Sequence, residues 1–342
     1  MKKRLLCALV PGVLALPTFG QTEPPPPAAA QAEQPAQVPT QIIVEGRRPG
    51  PGVWKVSKGD HVIWLFGLYS PLPKKMEWDD SRVERLMKGT QELLLPPAFS
   101  AGLSGFGGFL RGLTALPSLI GLEDNPDGAT LHDVLPADVY ARWTVAKQRY
   151  LGGGDGLERL RPIVAADRLK EAGYDKNGLS GGGEILGRIV EIAQKNKVKQ
   201  TFTGVSFDVK DPRGLLKDIK ASQMEDLACF TRTLDNLEGD LAAMRVRANA
   251  WANGNIAEIR SLDFSERDAT CVSAVAASPA MRRAAGIDNL VERLRQSWME
   301  AAEKALSNNT STFAVLQMQN ILGPDGALAA LQAKGYTVDS PK

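Results

Sequence analysis

The sequence predicts an α/β protein in which strands from both ends of the chain share one central mixed β-sheet around a largely helical middle. Apolar runs of strand length occur at residues 53–56, 61–66 and 92–95, and again at 312–318 and 335–338. Between them, a helical stretch at residues 224–252 carries apolar side chains at steps of three and four, namely Leu227, Phe230, Leu234, Leu237, Leu241 and Met244. No repeat of solenoid period is present, so we expect one folded domain over residues 50–341.

The composition argues against a nucleic-acid partner. The chain has 342 residues, of which 43% are hydrophobic and 23% charged, which is typical of a globular protein with a sizeable core. The net charge is only +2, and no aromatic residues alternate with a basic run. A nucleic-acid partner is therefore not expected.

The front of the chain has the pattern of an export signal. Lys2, Lys3 and Arg4 precede a short apolar run at residues 5–16, and a cleavage point is expected ahead of Gln21. The run is too short for a membrane anchor and is broken by proline. Residues 1–20 are thus predicted to be a signal peptide, residues 21–49 a Pro/Ala-rich linker, and the mature chain a periplasmic or secreted protein without a transmembrane segment.

Removal of the signal peptide leaves two cysteines, Cys229 and Cys271. In an oxidising compartment two thiols favour one disulfide. The alternative is that both are small buried hydrophobic residues of neighbouring helices. Neither has a histidine or another cysteine at metal-binding spacing.

Residues 99–122 form a glycine-rich apolar stretch with two interpretations. It can be a hairpin that packs on the core, or a lid or adhesive patch that contacts a partner. The sequence leaves both open.

Few residues suit catalysis. The chain has only two histidines, His61 and His132, and no serine in a Gly-x-Ser-x-Gly turn. Residues 181–187 are glycine-rich, but a turn precedes them. A dinucleotide-binding loop follows an apolar strand, so this interpretation is not favoured. Glu77, Asp79 and Asp80 fit the start of the next helix, because acids are favoured at that end of the helix dipole. No cofactor is expected.

Four short motifs follow one another along the chain. They are Gly-Val-Trp-Lys-Val at residues 52–56 with Pro-Leu-Pro at 71–73, Thr-Leu-His-Asp-Val-Leu-Pro at 130–136, Trp-Ala-Asn-Gly-Asn at 251–255, and Phe-Ala-Val-Leu at 313–316 with Gly-Tyr-Thr-Val at 335–338. In order and spacing they resemble the TraB/GumN family, which is related to the Tiki proteins. The resemblance covers about residues 50–341.

The resemblance implies a metal-dependent hydrolytic site built from two Gly-x-x-His motifs, a glutamate after the second strand and an Arg-Asn pair. The first glycine is present as Gly67, but Ser70 stands at the histidine position. In the second motif Leu316 replaces the glycine and Gln319 the histidine.

The remaining positions have also changed. The glutamate position falls at about Leu95, and the Arg-Asn pair corresponds to Arg295 and Gln296. A transition metal needs imidazole, thiolate or carboxylate ligands, which serine, glutamine and leucine do not supply. The pattern therefore predicts a divergent family member with no catalytic residue and no metal ligand.

We accordingly predict a pseudoenzyme that binds a small polar ligand, a peptide or an envelope component. Its pocket would be lined by Gly67, Tyr69, Ser70, Arg295 and Gln319. One alternative is a metal-dependent hydrolase with other ligands, such as Glu77, Asp79 or His61. A second alternative is an unrelated secreted helical protein that docks a partner through residues 99–122.

Overall fold

The computed structural model describes residues 50–102, 116–221, 226–239, 241–261, 271, 278–286, 289–323 and 325–341. The predicted signal peptide and linker lie outside these residues, as do residues 103–115 of the apolar stretch. Within the described part of the chain, no helix combines the length and the apolar character needed to cross a membrane.

The strands begin and end close to where the apolar runs predict them. In chain order they are β1 (Val53–Lys58), β2 (His61–Leu68), β3 (Leu72–Pro73), β4 (Glu92–Leu94), β5 (Phe99–Gly102), β6 (Leu179–Ser180), β7 (Lys199–Thr201), β8 (Val205–Asp208), β9 (Ser311–Gln317) and β10 (Thr337–Asp339).

The central sheet has six strands in the order β10-β1-β2-β9-β4-β7. Strand β1 is antiparallel to both β2 and β10, whereas β2, β9, β4 and β7 run parallel to one another. Strands from the two ends of the chain therefore share one mixed sheet, and the predicted fold class is confirmed. The parallel strands give the sheet an amino end and a carboxyl end, where those strands begin and finish respectively.

α-Helices account for most of the other described residues. They are α1 (Ser81–Lys88), α2 (Leu131–Val134), α3 (Ala137–Leu151), α4 (Pro162–Lys176), α5 (Gly183–Lys195), α6 (Pro212–Ala221), α7 (Leu227–Gly239), α8 (Leu241–Ala252), α9 (Ile256–Ser261), α10 (Pro279–Ala285), α11 (Leu290–Asn308), α12 (Met318–Leu322) and α13 (Ala327–Ala333).

Two hydrophobic cores hold these elements together. The larger core surrounds the central sheet and buries Trp54, Phe66, Trp251 and Phe313 completely. The smaller core lies among α3, α4 and α7, where Trp143 packs against Phe230 with ring centroids 5.6 Å apart. Large aromatic side chains thus anchor both cores, because each removes a large apolar area from water.

Residues 198–209 form two strands that belong to different sheets. Strand β7 is the last strand of the central sheet and pairs with β4, whereas β8 pairs with β5 in a separate sheet. A carbon placed at Cβ of Gly204 would lie 1.6 Å from the carbonyl oxygen of Ala98. The backbone between the two strands therefore passes so close to another segment that only glycine fits.

The disulfide prediction is confirmed. Cys229 on α7 is bonded to Cys271, and their Cα atoms are 4.7 Å apart. The bond ties residue 271 to the smaller core, because Cys229 is buried one residue before Phe230.

Candidate functional site

The carboxyl ends of β2 and β9 lie side by side. Gly67 is paired with Leu316 in the register of these parallel strands, and Leu68 with Gln317. Strand β4 lies on the other side of β9, with Leu94 paired with Ala314. Parallel α/β sheets bind ligands outside the carboxyl ends of their strands. The residues that follow Gly67 and Leu316 lie at these ends, where a site is expected.

The space over Gly67 is occupied by Met318. A Cβ atom on Gly67 would lie 2.6 Å from Met318 Cε and 2.9 Å from Sδ, so a larger residue here would force the Met318 side chain to shift. Met318 is itself only 1% exposed. The side chains of Met318 and Ile321 therefore occupy the space beside Gly67, the glycine that the resemblance assigns to a metal-binding motif.

Trp251 links two of the sequence motifs. Its indole nitrogen donates a 2.7 Å hydrogen bond to the carbonyl oxygen of Gly67, and its ring packs edge-on against Phe66. Gly254, three residues later, has a φ of +66°, which glycine adopts without strain. The Trp-x-x-Gly motif thus supports the carboxyl end of β2 through its tryptophan.

A cavity of about 370 Å³ opens at the carboxyl end of β9, among α11, α12 and α13. Its apolar lining residues are Pro97, Val291, Leu294, Trp298, Met299, Leu316, Ala327 and Ala330. Its polar and charged lining residues are Arg295, Gln317, Gln319, Asn320 and Asp325. Asp325 is the single carboxylate among them. We call this space the β9 cavity.

Arg295 is already paired within its own helix. Its Nε and Nη2 atoms each donate a 2.8 Å hydrogen bond to the carboxylate of Glu292, one turn earlier. Gln296 donates to the same carboxylate at 2.8 Å. Hydrogen bonds with Glu292, together with the charges of Glu292 and Asp325, raise the pKa of Arg295 above its ordinary value. The positive charge at the β9 cavity is therefore largely balanced.

Trp298 provides an unpaired hydrogen-bond donor. The residue lines the β9 cavity, is 2% exposed, and has no hydrogen-bond partner for its buried indole N–H among the described residues. Buried polar groups in proteins are nearly always paired, so such a donor calls for an explanation.

The five predicted site residues fall in different places. Arg295 and Gln319 line the β9 cavity together. Ser70 lines a second cavity of about 780 Å³, between the β3 region, α4 and α7, which also includes the Cys229–Cys271 disulfide. Gly67 is buried, and Tyr69 is 9% exposed within the core around the sheet. The two former histidine positions thus belong to separate cavities.

The side chains at the carboxyl end do not fit the metal that the resemblance implies. Hydroxyl, amide and aliphatic groups stand at the positions of the histidines and the glutamate. Among the described residues, no group of three or more histidine, cysteine, aspartate or glutamate side chains could hold a metal ion.

Asp79, considered as a substitute ligand, and its neighbour Asp80 have local structural roles. Asp79 accepts a 3.0 Å hydrogen bond from the backbone nitrogen of Ser81 at the start of α1. Asp80 accepts one of 2.8 Å from Arg188 of α5. Both contacts fix the start of α1, as the sequence predicts for these acids.

One imidazole and one hydrogen-bonded carboxylate lie at the amino end of the sheet. His61 begins β2, and its Nδ1 donates to the carbonyl oxygen of Asn309 at 2.8 Å. Glu92 begins β4 and accepts hydrogen bonds from Lys199 at 2.8 Å, from Asn309 at 2.7 Å and from Thr201. Burial raises the pKa of Glu92, but these three hydrogen bonds outweigh it and hold the pKa below its ordinary value.

The second histidine is exposed and lies far along the chain from the strand ends. His132 is 3.8 Å from Asp133, and its ring contacts the edge of Tyr140. Asp133 and Thr130 form the capping box of α2, so this pair starts a helix.

Sequence reasoning missed Trp298, Asn320 and Asp325 as lining residues. Trp298 follows Arg295 by three residues, which places both on one face of α11. Asn320 directly follows Gln319. The spacing from Arg295 and the position beside Gln319 could have pointed to Trp298 and Asn320. A motif defined by metal ligands, however, gives no reason to select an indole or an amide.

The fold and the site define an α/β protein with a largely apolar cavity at the carboxyl end of a mixed sheet. The sequence profile of the TraB/PrgY/gumN family matches residues 52–340. The chain belongs to this family. No curated protein and no solved structure matches the chain.

Proposed function

We propose that this chain is an exported, non-hydrolytic member of the TraB/PrgY/gumN family that binds a small ligand in the β9 cavity. One observation carries the proposal. Arg295 and Gln319, which stand where the resemblance places hydrolytic motif residues, line a cavity of about 370 Å³, and the described residues of its lining include one carboxylate and no imidazole or thiolate.

The size and chemistry of the β9 cavity support binding. Small-molecule sites are typically concave, mostly apolar, and carry a few polar groups that orient the ligand. Aliphatic and aromatic side chains form most of the lining here, and the amides of Gln317, Gln319 and Asn320 supply neutral donors and acceptors. Peptide and envelope-polymer ligands both contain groups that such amides can bind.

The disulfide supports an extracytoplasmic location. Disulfides persist in oxidising compartments, and Cys229 and Cys271 form one. The signal-peptide pattern of residues 1–20 also supports our proposal that the mature chain lies in the periplasm or outside the cell.

Metal analysis tests the absence of hydrolytic chemistry. The chain from Gln21 onward, purified and dialysed with zinc, manganese or cobalt, should retain far less than one equivalent. Its melting temperature should also not shift, because only a ligand that binds the folded state raises it. One equivalent of tightly held metal, together with peptidase or esterase activity, would contradict the proposal.

A cavity-filling variant tests the binding site. Ala330 lines the β9 cavity, whereas Ala333 lies exposed on the same helix, α13. Ala330→Phe should abolish the melting-temperature shift produced by any ligand found in a metabolite screen, and Ala333→Phe should preserve it. Equal shifts in both variants would place binding elsewhere.

A further inference from the structure

We propose that the second cavity, which Ser70 lines, binds a neutral molecule with several hydroxyl groups, such as a disaccharide. We call this space the Ser70 cavity. Its volume of about 780 Å³ is within the range of small-molecule sites, roughly 300–1,000 Å³. The inference does not rest on the proposed function, because the Ser70 cavity and the β9 cavity share no described lining residue.

The charges in the wall of the Ser70 cavity are paired. Lys170 donates a 2.7 Å hydrogen bond to Asp167. Lys74 forms an ion pair with Asp175. The remaining carboxylate of the described lining, Glu171, lies 4.0 Å from a guanidinium one turn earlier on α4. Each charged residue of the described lining thus already has a partner of opposite charge.

This pairing favours a neutral ligand. A charged ligand would lose its hydration in the cavity and would have to compete with an existing ion pair for its partner. A hydroxyl group can instead donate to a carboxylate or accept from a lysine, and both pairs stay intact. Hydrogen bonds of this kind are strong because one member is charged.

Two neutral polar side chains complete the wall. Ser70 and Asn236 line the cavity, are partly exposed, and make no side-chain hydrogen bond to another described residue. A carboxamide offers a donor and an acceptor side by side, and a serine hydroxyl offers both in one group. Neighbouring hydroxyl groups of a sugar ring are matched by this arrangement.

Phe99 supplies an apolar surface in the same cavity. It begins β5, and 40% of the residue is exposed. The C–H groups on the face of a sugar ring can pack against the electron-rich face of an aromatic ring. A wall with paired charges, neutral hydrogen-bonding groups and an open aromatic ring therefore suits a carbohydrate.

Side-chain truncation tests the hydrogen-bonding role. Saturation-transfer NMR on the purified protein with maltose, cellobiose and lactose should detect binding of at least one of these disaccharides. Asn236→Ala should weaken that affinity about fivefold, the loss expected for one hydrogen bond. Thr231→Ala also removes a neutral polar group from α7, but at a residue that does not line the cavity, and should leave the affinity unchanged.

Two glycines give a matched test of the location. Gly181 lines the Ser70 cavity, whereas Gly183 does not. Both are exposed, and a Cβ atom added at either would meet nothing within 4 Å, so a large side chain can be added without a clash. Gly181→Trp should abolish disaccharide binding, and Gly183→Trp should preserve it.

Charged sugars test the neutrality of the ligand. Glucose, glucosamine and glucuronate share one type of ring, but glucosamine adds a positive charge and glucuronate a negative one. Glucose should displace the bound disaccharide at a lower concentration than either charged sugar. Stronger displacement by a charged sugar overturns the ligand class.

The remaining outcomes separate this inference from the proposed function. No binding of any of the three disaccharides, equal affinities in Asn236→Ala and Thr231→Ala, or retained binding in Gly181→Trp overturns the inference. If Ala330→Phe abolishes disaccharide binding and Gly181→Trp does not, the sugar binds in the β9 cavity. That result overturns the site assigned here and leaves the proposed function in place.

Discussion

The two ends of the central sheet are built from opposite chemistry. At the amino end, Glu92 and His61 lie in a polar network with Asn309, Lys199 and Thr201. At the carboxyl end, Met318 covers Gly67, and the β9 cavity is mostly apolar. The end of a parallel sheet at which ligands usually bind therefore has fewer reactive side chains than the end at which they usually do not.

Reactive residue types do not by themselves mark a ligand-binding site. The carboxylate of Glu92 links β4 to β7 and to the segment that precedes β9. Lys199 and Thr201 of β7 donate hydrogen bonds to it, and so does Asn309, which lies between α11 and β9. A charged group in such a network contributes to stability through its hydrogen bonds. Ligand binding, in our proposal, belongs to the carboxyl end, where the β9 cavity is mostly apolar.

The largest effect is expected at the amino end. Glu92→Ala removes the acceptor of three hydrogen bonds and leaves Asn309 and Thr201 with unpaired groups, so the free energy of unfolding should fall by about 3 kcal/mol. Urea denaturation measures the change. Glu300→Ala, an exposed glutamate on α11, is the control and should change stability by less than about 0.5 kcal/mol. Equal losses of stability in Glu92→Ala and Glu300→Ala would contradict a structural role for the network.

A smaller loss is expected at the carboxyl end from Gly67→Ala. The added methyl group would clash with Met318, so we expect a loss of about 2 kcal/mol in the free energy of unfolding. Combination with Met318→Ala should relieve the clash, which a double-mutant cycle detects as coupling.

Gly187→Ala is the matched control for this substitution. Gly187 lies within α5, where nothing is within 4 Å of an added Cβ, so alanine should be neutral or stabilising. A lack of coupling between residues 67 and 318 would show that the packing described for the carboxyl end does not limit the space there.

Acid should weaken the amino end selectively. Because the pKa of Glu92 is lower in the folded state than its ordinary value of 4.5, its contribution is complete above that pH and is lost as the pH falls through the lowered pKa. The stability difference between the wild type and Glu92→Gln should therefore shrink below about pH 4.5. Urea denaturation from pH 7 to pH 3 measures it, and a difference that grows on acidification would reverse the assigned direction.

The smallest effect on stability is expected at the β9 cavity. Gln319 makes no side-chain hydrogen bond to another described residue and is partly exposed, so Gln319→Ala should change the free energy of unfolding by less than about 0.5 kcal/mol. Its effect should be on ligand affinity instead. A loss of stability as large as that of Glu92→Ala would erase the contrast between the two ends.

Much of the fold could be predicted from local patterns. The alternation of short apolar runs and helical periodicity placed β1, β2, β4, β9 and β10 within a few residues of their observed bounds. The shared sheet followed because buried strands at both chain ends need neighbours. Residues 198–209 were harder, because a local pattern of alternation is the same whether two strands pair with each other or with different partners.

The candidate site could be predicted only in part. The motif comparison selected Arg295 and Gln319, which line one cavity, because it compares fixed positions after strands. It could not show that Ser70 lines a different cavity, because the two cavities are separated in part by the residues that follow β4. Pro97 lines the β9 cavity and Phe99 lines the other, so this segment contributes a wall to each.

The pairing of β2 with β9 also constrains how the chain can fold. Val62 of β2 is paired with Ser311 of β9. The middle of the sheet therefore forms only after β9, near the end of the chain, has been synthesised. Contacts between such distant residues slow folding. A nascent polypeptide of this kind stays unfolded for longer, and that is the state in which a chain can be threaded through a translocation channel.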